Sequence, residues 1–125
     1  MKLAVLVNEN FRAALTKLTT QKIPLKAAFK LKGIVQTVNQ EFAKYEEVRE
    51  SALTRFGKKD ENGVLILNAS NAVTFESEGL AQFQKEMSEL ISSDIEVTKI
   101  KIDELGNEVD LSVADLMSLD EIIEA

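Results

Sequence analysis

The stretch PLKAAFKLKGIVQTVNQEFAKYEEVRESALTRFG, residues 24–57, decides the architecture. It opens on Pro24, the only proline in the chain, at a position where the missing N–H costs a helix nothing. Apolar or aromatic residues then recur at Ala28, Leu31, Val35, Val38, Phe42, Tyr45, Ala52 and Phe56, spaced alternately by three and four with one break at Arg49. Leu25, Phe29, Ile34, Val48 and Leu53 widen the stripe, and Gly57 supplies the stop, in the left-handed conformation expected just past a helix. The spacing predicts one helix of roughly 30 residues, about 45–50 Å long at 1.5 Å per residue. That is longer than a compact 125-residue domain is wide.

Shorter elements surround it. Phe11, Ala14, Leu15 and Leu18 follow the i, i+3, i+4, i+7 rule, with Asn8 or Asn10 as cap, so a first helix ends near Thr19 and Thr20 and forms a helical hairpin with the long one. Leu80, Phe83, Met87, Leu90 and Ile91 mark a third helix capped at Ser77. Ser112 and Asp115 have capping-box spacing, and open a fourth that carries Val113, Leu116, Leu119, Ile122 and Ile123. Val64–Leu67 and Val73–Phe75 read as a hairpin around Asn68–Asn71, and residues 95–102 as a strand whose alternation slips between Val97 and Ile100. Residues 2–7 fit a strand or an early helix; the strand is preferred, because residues 95–102 need a partner. The expectation is one α+β domain over residues 1–125: a long helical hairpin (1–57), then a small antiparallel sheet with two further helices (58–125).

With no Cys and no His, disulfide scaffolds, structural zinc modules, thiol nucleophiles and Ser-His-Asp triads are excluded. Only five apolar residues follow Lys2 before Asn8, too few for a signal core or a membrane span, so the cell interior is expected and Asn68-Ala69-Ser70 reads as a turn rather than a glycan site. The net charge of −6 conceals two opposite halves. Residues 1–60 hold 12 basic and 6 acidic side chains, residues 61–125 hold 3 and 15. The sign changes at the glycine-bracketed segment 57–63, the natural boundary.

Carboxylates are the only acid–base groups in number. They cluster as Glu46, Glu47 and Glu50, as Asp103 and Glu104, and as Asp120, Glu121 and Glu124, where exposed polar faces should fall. Asp60-Glu61-Asn62-Gly63 lacks the alternating ligands of a calcium loop and reads as a turn. The five glycines are scattered and form no phosphate cradle. No metal and no cofactor are expected. A basic face of Lys22, Lys26 and Lys30, with Arg12, Lys17 and Lys32 nearby, has the charge to meet phosphates. The acidic total and the absence of Trp argue against nucleic acid. The acidic half suits a mimic of phosphates on a basic partner, and Asp120, Glu121 and Glu124 near a helix C-terminus would oppose its dipole, a hint of a basic partner outside or inside the chain.

Residues 23–31, Tyr45-Glu46-Glu47-Val48-Arg49 and residues 56–63, followed in order by Ile95-Glu96-Val97 and Ser112-Val113-Ala114-Asp115-Leu116, resemble a group of small uncharacterised proteins encoded by tailed phages and prophages of Gram-positive bacteria. The resemblance implies phage origin and hence the host cytoplasm or a virion, and brings no activity with it. The residues themselves point to a non-enzymatic, protein-binding protein, because a short first helix leaves the stretch around Val38, Phe42, Tyr45 and Ala52 to the third helix, a second subunit or a partner. Val38, Phe42 and Tyr45, with Asp103, Glu104, Asp120, Glu121 and Glu124, are the candidate partner-binding residues. Docking on a host or defence protein is the leading expectation, a virion component or assembly factor the second, and a metal-dependent carboxylate enzyme the remote third.

Overall fold

The computed structural model describes all residues, 1–125. Helix α1 spans Leu3–Leu6, α2 Glu9–Thr19, α3 Leu25–Phe56, α4 Ser77–Ile91 and α5 Val113–Ser118; strands β1 and β2 are Ile100–Lys101 and Ile123–Glu124. The chain forms two compact units: residues 1–42 with 93–125, and residues 43–92. This division does not follow the change of charge sign at 57–63. It falls within α3, which runs from the first unit into the second.

The first unit holds the core. Asn8 caps α2 by accepting the Asn10 N–H at 2.8 Å, and Phe11, Ala14, Leu15 and Leu18 are buried along one face, as the spacing predicts. Ala27, Leu31, Ile34 and Val38 are the buried face of α3. Residues 2–7 are not a strand: Lys2 C=O accepts from the N–H groups of Val5 and Leu6, starting a single helical turn. The reason is geometric. Leu3 and Leu6 are both buried, and a helix puts i and i+3 on one side where a strand would put them on opposite faces. Only the residues before the turn pair in extended fashion, with an antiparallel bridge between Lys2 and Asp94.

The sheet is parallel, not antiparallel. Ile100 pairs with Ile123 and Lys101 with Glu124, and the Ile100 N–H donates to Ile122 C=O at 2.8 Å. A 3-10 turn at Ile102–Leu105, a loop and α5 lie between the strands, and a connection of that length permits the parallel crossover. Ser112 and Asp115 form the expected capping box, but α5 stops at Ser118. Leu119, Ile122 and Ile123 are buried beyond it, and Ile123 is drawn into the sheet. Consequently Glu121 and Glu124 do not sit on a helical last turn, whereas Asp120 directly follows the α5 cap at Leu119.

In the second unit, three extended segments hold together by Lys58 N–H to Thr74 C=O, Ile66 N–H to Lys58 C=O and Thr74 N–H to Ile66 C=O. The expected hairpin is present as the Leu67–Val73 bridge, without a continuous ladder. Asn68 Oδ1 accepts from the N–H groups of Ser70 and Ala72, and Asp60 Oδ1 from Asn62 and Val64, so both polar tetrapeptides are turns stapled by their own side chains. Gly57 is not left-handed; positive φ occurs at Gly63, Gly106 and Asn71. Glycine is required at 57 because a Cβ would stand 2.6 Å from Leu53 O, 2.6 Å from Val73 Cγ1 and 2.7 Å from Leu65 Cδ2.

Candidate functional site

The cations and carboxylates separated in sequence meet in the fold. In the first unit Lys17 Nζ reaches Asp115 at 2.7 Å, Lys30 Nζ reaches Glu104 at 2.9 Å and Lys2 Nζ reaches Asp94 at 3.0 Å. The hydrogen bond from Lys17, then the Ser112 N–H, hold the Asp115 carboxyl below the usual range. The bond from Lys30, then the Lys101 N–H, do the same for Glu104, while Asp115 raises the Lys17 ammonium. In the second unit Arg55 pairs with Glu86. The first unit has 9 basic and 12 acidic residues, the second 6 and 9, so each carries −3. Folding redistributes the asymmetry of the sequence, and Lys2, Lys17, Lys30 and Arg55 of the basic hairpin find acidic partners inside the chain.

The sequence-predicted residues are therefore differently placed. Val38 is 3% exposed and belongs to the core. Phe42 is half-buried with the Arg12 guanidinium 3.7 Å over its ring, and Tyr45 is half-buried. Glu104 is engaged by Lys30, with Lys26 close enough to contribute; Asp103 lies exposed beside it in the 3-10 turn. Glu124 is registered with Lys101 across the parallel pair, and Asp120 is exposed in the turn before it. Glu121 lines a shallow groove with Met1 and residues 94–99. Of the basic face, Lys30 is paired, and Lys22 and Lys26 are exposed. No group of three or more Asp or Glu side chains is arranged to hold a metal ion, and no helix is long and apolar enough to cross a membrane.

What sequence reasoning missed is apolar. Leu25 and Phe29, assigned to the widened stripe of the long helix, are exposed, as are Val113 and Met117 on α5. The lysines at 22, 26 and 32 around Leu25 and Phe29 were the available signal that this face meets solvent. The second unit is barer still. Of sixteen buried apolar residues, fifteen lie in the first unit and only Ala52 in the second. Helix α4 buries none of its residues; Leu80 is exposed, and Phe83, Met87, Leu90 and Ile91 are half-buried. Phe83 stacks obliquely on Phe75, 5.1 Å between centroids, and Val48, Val64 and Leu67 are exposed. No family model matches the chain, and no curated protein or solved structure is significantly similar to it.

Proposed function

We propose that this is a non-enzymatic, phage-encoded protein that binds another protein, docking on and modulating a host or defence factor through the second unit. One observation carries the binding reading: fifty residues fold into a unit whose only buried apolar side chain is Ala52. Units that small are marginal unless a disulfide, a metal or an association completes them; this chain has no cysteine for the first and no clustered ligand side chains for the second. The exposed and half-buried side chains of α4 and the adjoining extended segments are an apolar surface that a partner would cover. With a local charge of −3, the unit suits a protein whose apolar patch is rimmed by basic residues. Phage origin is supported by the order of the sequence motifs alone.

The test has two stages. Wild-type protein and a Leu80→Glu/Met87→Glu variant are used to capture proteins from host extract, and the protein retained by wild type alone is purified and recombined with it. Hydrogen exchange then reads the complex. Protection concentrated in residues 77–91, lost in the variant, supports the reading; a complex that leaves the exchange of these residues unchanged overturns it.

A virion or assembly role is the second reading. The exposed apolar side chains of the first unit, Leu25 and Phe29 on α3 and Val113 and Met117 on α5, favour it, because such surfaces suit self-association.

A further inference from the structure

The four most exposed large apolar side chains are Leu25, Phe29, Val113 and Met117, at 87, 77, 76 and 74%. Singly, exposed apolar residues need no explanation. These four form two i, i+4 pairs, one in the first turns of α3 and one along α5, and each pair shares a helix face. Their flanks carry opposite charge. Lys22, Lys26 and Lys32 stand three residues before or after Leu25 or Phe29, all exposed and none within an ion pair. Asp110 and Asp120 stand three residues before Val113 and three after Met117, also exposed and outside any ion pair.

Gly33 adds an independent observation. It lies one turn beyond Phe29 on the same face, inside a 32-residue helix, with nothing within 4 Å of where its Cβ would be. Glycine is among the least favourable residues in a helix interior, and no contact within this chain calls for it. It leaves a gap into which another backbone fits closely.

We propose that a second copy of this chain docks on this face, the acid-flanked pair Val113 and Met117 of one molecule seating on the lysine-flanked pair Leu25 and Phe29 of another. Both pairs lie in the first unit and both stay exposed, so neither covers the other within one molecule. Between molecules, aspartates meet lysines and apolar side chains meet apolar side chains. Reciprocal docking closes a twofold dimer, and docking without closure runs on head to tail. The surface is distinct from that of the second unit and does not depend on it.

Sedimentation of the full chain over a range of concentrations tests this. Self-association should weaken about tenfold or more between about 0.01 M and 1 M salt, as the Debye length shrinks from about 30 to about 3 Å. Phe29→Ala should weaken it by about tenfold or more. Variant one carries Lys22→Glu and Lys26→Glu, variant two Asp110→Lys and Asp120→Lys. Each alone is monomeric, because its two faces then have the same sign. An equal mixture of them associates, since each reversed face finds its complement, and that rescue also shows that both variants fold. Leu80→Glu/Met87→Glu, on the second unit, leaves the association unchanged. A wild-type monomer at all concentrations up to about 1 mM overturns the proposal. So does association of either charge-reversed variant alone at wild-type strength, or a mixture that stays monomeric.

Discussion

Replacing Ile122 with alanine tests the tertiary role of the C-terminal segment most directly. The side chain is 0% exposed, and its carbonyl accepts the Ile100 N–H, so it anchors both core and sheet. Three buried carbons are lost. At about 0.8 kcal/mol per buried methylene the transfer contribution is about 2.4 kcal/mol. The residual cavity brings the expected cost to about 3–4 kcal/mol, within the range for such truncations. With a urea m-value of about 1–2 kcal/mol/M for a unit of this size, the midpoint of the first unit should fall by about 1.5 M or more. Urea titration followed through NMR resonances of each unit reads this separately for the two, and the Ile100 amide should lose exchange protection. Leu90→Ala, on half-buried α4, should cost less than half as much. A midpoint shift below about 0.5 M for Ile122→Ala, or an equal loss for Leu90→Ala, would refute the division into a cored and an under-packed unit.

Acid stability should depend on the long-range ion pairs. Asp115 and Glu104 are held below their ordinary values, so their contribution is complete above the unfolded carboxylate range and is lost as pH falls through their folded values; melting curves between about pH 2 and 5 should flatten in Asp115→Asn and Glu104→Gln. Lys17 is held above its ordinary value, so its contribution is present below that value and fades as pH rises through the folded one, which an alkaline melting series checks. Gly57→Ala should lower stability by about 1–3 kcal/mol, because the new methyl meets the Leu53 carbonyl and the half-buried side chains of Val73 and Leu65; Gly33→Ala, in open space, should raise it by up to about 1 kcal/mol, and thermal unfolding compares the two. Ser112→Ala removes the cap of α5 and should cost about 1 kcal/mol in a denaturant titration. Amide exchange in α4 should be faster than at the buried positions of α2, since few buried contacts resist its opening.

The helices were legible because their signals are local. Pro24, the three-four spacing and the Asn8 and Ser112 caps place α2, α3 and the start of α5 from residues that touch one another along a single turn. Residues 2–7 and 119–124 were misread because their local patterns suit either state. What decides between helix and strand there is whether Leu3 and Leu6 reach the same core and whether the backbone at Ile122 and Ile123 finds Ile100 to pair with, and both depend on distant segments. Leu25 and Phe29 were misread for the related reason that a stripe wide enough to serve two faces does not show which face finds a neighbour.

Charge follows the same logic. The sequence by itself determined the net −6, the +6 and −12 halves, the lack of thiol and imidazole chemistry, and a helix running from Leu25 to Phe56. The tertiary structure decided that Lys17 meets Asp115 and Lys30 meets Glu104 across 98 and 74 positions, that each unit comes to −3, and that the large apolar side chains left exposed include Leu80 of α4, Val48, Val64, Leu67 and Ile102, and two pairs with oppositely charged flanks. Helical periodicity is written in neighbours three and four residues apart, whereas neutralisation and burial depend on which remote segments the chain brings together.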